Sequence, residues 1–93
     1  MNRRKNNVSV EPMDDIILLN DNYADKGLYT GYIGTVMDNH IEKSGYVVAD
    51  FSNPITGDCI QPAVAINKDD FRVFSGNIED RKIGKAFKDL FKK

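Results

Sequence analysis

Few residues in this chain have side chains suited to chemistry. There is one histidine, His40, and one cysteine, Cys59. An imidazole works as a general base only with a nucleophile or labile proton in reach. His40 stands beside Asn39 in a polar stretch with neither nearby in sequence, and reads as a solvated loop histidine. Cys59 opens an apolar run with no neighbouring base, and reads as a half-buried or buried small hydrophobe rather than a nucleophile. A lone cysteine forms no internal disulfide, which fits a reducing compartment. Paired carboxylates occur at Asp14-Asp15, Asp69-Asp70 and Glu79-Asp80. Neighbouring side chains on a strand point to opposite faces, and the latter two pairs suit a turn and a helix start. Asp21, Asn22 and Asp25 offer oxygens, but without the spacing or terminal Glu of a calcium loop, so turn chemistry accounts for them. No Cys/His set fits zinc. Gly27, Gly31 and Gly34 lack the Lys-Ser/Thr that completes a phosphate loop. The expectation is a non-enzyme without metal or cofactor.

Binding is then the remaining class of activity, and charge is its first guide. The formal net charge of −1 hides three regions. Arg3, Arg4 and Lys5 give residues 1–5 a charge of +3. Residues 6–80 hold four bases against 13 acids, or −9, and residues 81–93 hold six bases against one acid, or +5. An acidic body between basic ends excludes a uniformly basic chain and marks solvated or interacting surfaces. No apolar run is long enough to span a membrane. No apolar stretch follows Met1-Asn2-Arg3-Arg4-Lys5, so neither a signal peptide nor export is expected, and the location expected is cytoplasmic.

The elements that must position these residues follow from pattern. Residues 1–12 are polar and aperiodic and read as a mobile tail. Residues 13–75 read as a small domain of five strands. These are Ile16–Leu19, Tyr32–Met37 with Gly34 inside it, Tyr46–Phe51, Cys59–Ile66 with Pro62 inside it, and Phe71–Phe74. A glycine within a strand suggests a bulge or bend, and a proline suggests an edge. Five short strands separated by turns imply an antiparallel sheet closed into a barrel. In residues 76–93 the period changes. Ile83, Ala86, Phe87, Leu90 and Phe91 form one helical face, Asn77 is placed to cap it, and Gly84 interrupts it. So short a helix needs a surface, either its own barrel or a partner.

Gly27-Leu28-Tyr29-Thr30-Gly31-Tyr32-Ile33-Gly34-Thr35-Val36 resembles the G-L-x-x-G-x-x-G-T-V pattern of Src-homology-3-like small barrels of the KOW and translation-protein type. Asp15-Ile16-Ile17-Leu18-Leu19 and Tyr46-Val47-Val48-Ala49-Asp50-Phe51 extend the likeness across residues 14–75. The order is similar to that of a family of small uncharacterised bacterial proteins, with Ala49-Asp50 where that family often has Val-Glu. The resemblance implies a five-stranded barrel with Gly31 and Gly34 at the bend into the second strand. It implies nothing about activity, and the C-terminal helix lies outside it.

Three binding surfaces are in prospect. Asp21, Tyr23, Asp25, Tyr29 and Tyr32 gather acid and tyrosine on one loop, a composition suited to a basic protein partner, as in an immunity or antitoxin protein. The competing account is that some of these tyrosines close the barrel. The proline-peptide mode of Src-homology-3 domains is disfavoured by the lack of any tryptophan. Lys82, Lys85, Lys88 and Lys92 offer a basic helix surface for RNA, in line with the RNA binding that KOW-type barrels imply, or for anionic lipid. The helix's apolar face offers self-association. A protein partner is expected ahead of nucleic acid.

Overall fold

Buried residues alternate with more exposed ones along residues 33–37, 46–52 and 63–67, which gives these strands an inner and an outer row. The computed structural model describes residues 10–92. Its elements are β1 (Asp15–Leu18), β2 (Ile33–His40), a single turn α1 (Ile41–Ser44), β3 (Tyr46–Ser52), β4 (Cys59–Asn67), β5 (Phe71–Val73) and α2 (Ile78–Leu90). The expected loop before Gly45 is thus structured: β2 runs on to His40, and the single turn α1 follows it.

The strands form one antiparallel sheet in the order β4-β3-β2-β1-β5. The sheet is open, not the closed barrel expected. β4 and β5 are its two edges and do not pair. Closure needs a run of free backbone donors and acceptors on both edges. β5 offers only three residues. On β4, Pro62 has no N–H and Ala63 turns to φ 51°, giving its N–H to Asp50 at 2.7 Å instead of to a strand. The edge position read from Pro62 is therefore observed.

The inner row packs Ile16 and Leu18 with Val36, Val47, Ala49, Phe51, Val64, Ile66 and Phe71. Leu28 and Ile41 close over them. Val10 joins this core at 2% exposure, and its carbonyl accepts from the Asn39 amide. Val10, expected in the mobile tail of residues 1–12, is thus packed in the core, since burying an apolar side chain outweighs leaving it in water. Residues 1–9 lie outside the described residues.

Gly34 does not mark a bulge. The β2–β3 register slips two residues further on, between Val36 and Asp38, and Gly31 makes the turn into β2 at φ 89°. Gly34 pairs with Phe51, and a Cβ there would stand 2.7 Å from Phe51 Cε2. The glycine leaves room for a ring that is itself fully buried. Gly34→Ala should cost about 1–3 kcal/mol through overpacking. Urea denaturation should show a lower midpoint with an unchanged slope, and an unchanged midpoint would show that Phe51 can move aside.

Candidate functional site

The predicted acidic loop is mostly committed to holding itself together. Asp21 accepts the Thr30 hydroxyl at 2.7 Å and the Thr30 amide at 2.8 Å. Those bonds, the hydroxyl foremost, hold its carboxyl below the usual range. Tyr23 donates to Asp70 at 2.8 Å and accepts from the Asn67 amide at 2.9 Å. Asn20 and Asn22 also donate to Asp70, so this network ties the loop before β2 to the turn before β5. Burial pushes the Tyr23 phenol above its ordinary value. Tyr32 packs against the core on one side and lies 5.1 Å from the Phe87 ring and 5.8 Å from Phe91 on the other. Of the five residues, Asp21, Asp25 and Tyr29 are exposed, with Tyr29 edge-on to Tyr32 at 5.8 Å. Asp21, Tyr23 and Tyr32 thus make contacts that close the fold.

The helix is docked on its own sheet. Asn77 caps it as expected, accepting the Asp80 amide at 2.9 Å. The anchor is a residue that reads in sequence as a helix-start acid. Asp80 is fully buried; it pairs with Arg72 on β5 and accepts the Ser75 amide at 2.5 Å and hydroxyl at 2.7 Å. The Arg72 guanidinium foremost, aided by Ser75, holds the Asp80 carboxyl far below the usual range against the opposing effect of burial. This anchor sets the helix's rotation. Asp80, Gly84, Phe87 and Phe91 run along the contact side, and a Cβ on Gly84 would come within 3.0 Å of the Phe74 ring. Phe87 is buried, Ile83 and Phe91 are half-buried, and Ala86 and Leu90 are exposed. The expected apolar stripe is therefore turned partly toward solvent.

Between α2 and the outer row of the sheet runs a groove of about 790 Å³. Ile33, Met37, Phe74 and Phe87 give it apolar surface. One wall is the helix, with Arg81, Lys85 and Lys88. The other is the sheet, with Asp15 on β1 and Asp50 on β3. Of the four lysines singled out in sequence, Lys85 and Lys88 line this groove and Lys82 and Lys92 do not. Arg81 was missed, although the spacing 81, 85, 88 puts all three cations on one helical face. Arg81 is held to the Gly76 carbonyl at 2.8 Å and Lys85 to Asp89 at 3.2 Å. Lys88 makes no ion pair among the described residues.

The remaining reactive residues are scattered. His40 is not in a loop: it ends β2, stacks on Tyr46 at 5.2 Å and meets Asp38 at 3.2 Å. Cys59 is exposed rather than buried, because it begins β4 at the sheet edge. Among the described residues no group of His, Cys, Asp and Glu could hold a metal ion, and no helix is long and apolar enough to cross a membrane.

Fold and groove define a five-stranded antiparallel sheet with a C-terminal helix laid over its outer row and a bipolar cleft between the two. The chain matches no protein-family model, and comparisons with curated proteins and with solved structures find no match either.

Proposed function

We propose that this chain is a non-enzymatic binding module that receives a segment of a protein partner in the groove between α2 and the sheet. The observation that carries the reading is the groove itself: apolar surface flanked by a cationic wall on the helix and an anionic wall on the sheet. Apolar area supplies affinity and opposed charges supply orientation. The −9 carried by residues 6–80 would steer a partner of net positive charge toward the body. Masking a basic partner, as an immunity protein masks a toxin, is one role of this kind.

The finer fold belongs to the same proposal. Kinship with the Src-homology-3-like barrels is supported by β5 returning to pair with β1, by bulged ladders on both sides of β3, and by the Gly31–Val36 pattern. RNA is the second reading, favoured by the cation row of α2, and disfavoured by the carboxylates of Asp15 and Asp50 opposite that row.

The test uses immobilised protein and its Met37→Trp variant, at low and high salt. Met37 lines the groove and is 46% exposed, so a larger side chain there obstructs the groove without entering the core. A polypeptide retained by the original chain and lost by the variant is the expected result. Retention of the same polypeptide by both would overturn the groove as the receptor, and retention abolished by nuclease would favour RNA.

A further inference from the structure

The charge layout of the groove specifies the kind of segment that fits it. Arg81 and Lys85 stand four positions apart, a rise of about 6 Å along the helix, and Lys85 and Lys88 three positions apart, about 4.5 Å. In an extended chain, side chains at i and i+2 point the same way about 6.6 Å apart. Carboxylates at alternate positions of an extended segment therefore come close to the Arg81–Lys85 step, and Lys88 falls about 2 Å short of the next repeat, a difference its flexible four-carbon stem spans. The intervening side chains point the other way, toward the sheet wall, where Asp15 and Asp50 stand beside the apolar Met37. A long basic side chain suits that wall, with its methylene stem on Met37 and its charged head at a carboxylate.

We propose that the groove selects an extended peptide segment that alternates acidic and basic residues, acids toward α2 and bases toward the sheet. This rests on the reading of the groove as a protein receptor and adds the chemistry of its ligand. Charge complementarity favours this occupant over a uniformly acidic or uniformly basic one, since either would place like charge against one wall. Lys88, which has no ion pair among the described residues, is the cation most open to such a segment.

The experiment is selection of displayed random heptapeptides on the full chain, with binding of the enriched peptides then measured in solution. Acids enriched at alternate positions, with bases between them, are expected. Lys85→Glu with Lys88→Glu should weaken the enriched peptides at least about tenfold, and so should raised salt. The circular dichroism of this double variant should match the original, because both lysines are exposed. Enrichment of peptides without the alternation, blocked by Met37→Trp, would overturn this inference while sparing the groove as a receptor. Peptides insensitive to both variants would overturn both, and failure to enrich any peptide would overturn the inference.

Discussion

Asp80→Asn should cost the protein about 1–3 kcal/mol, the usual penalty for leaving buried hydrogen-bonding groups without their partner. The carboxylate receives Arg72 on one oxygen and the Ser75 amide and hydroxyl on the other. An amide in its place offers one acceptor, and its NH₂ meets a donor. The Arg72 side chain is one-third exposed and can turn to water, so the loss falls on the helix start and on Ser75. Urea titration at pH 7 is the measurement. Its pH dependence is more specific. The folded Asp80 carboxyl ionises far below its unfolded value of about 3.9. Its contribution is therefore complete above that unfolded value and is lost as pH falls below it toward the folded one. The gap in stability between the original protein and Asp80→Asn should stay constant from pH 7 down to about 5 and narrow below. Asp21, whose carboxyl is also lowered, is common to both chains and drops out of the difference. A gap that does not narrow in acid would show that Asp80 is not held as the anion.

The strands were readable because their evidence is local. Pro and Gly punctuate five apolar runs, and all five form near their expected limits. The continuous run Ile16-Ile17-Leu18 carried a further signal, since a strand apolar at every position is covered on both faces. Ile17 is 2% exposed yet lies outside the inner cluster, as that pattern requires. What could not be read depends on pairing between distant residues. Gly34 looks the same in sequence whether it bends a strand or makes room for Phe51. Asp80 looks like any first-turn acid until Arg72, eight residues earlier, is placed beside it. The internal bonds of the acidic loop are hidden for the same reason: in sequence Asp21 and Tyr23 give no sign of their partners Thr30, Asn67 and Asp70. The cation row of α2 was visible, but which wall it faces follows from the rotation that Asp80 imposes.

Phe87→Asp tests whether that helix is part of the fold, and its effect should be comparable or larger. Phe87 is 4% exposed, with Tyr32 and Phe91 at ring distances of 5.1 and 5.3 Å. Truncating such a ring costs about 3–5 kcal/mol, and a carboxylate adds the penalty of burying charge. The inner cluster contains no residue of α2. The loss should thus release the helix before it disrupts the sheet: hydrogen exchange in residues 78–90 becomes fast while β2 and β3 stay protected. Unchanged stability and exchange would mean the helix is not docked. The double variant Asp80→Asn/Phe87→Asp separates release from general unfolding. Both side chains fasten one element, and an element already released loses nothing further when its second fastening is removed. The combined cost should fall well short of additive, close to that of the larger single substitution, whereas independent sites would add to within about 0.5 kcal/mol. Since the groove has α2 as one wall, peptide binding should vanish in both single variants whenever exchange shows the helix released, and survive in Gly34→Ala, whose effect lies in the opposite layer.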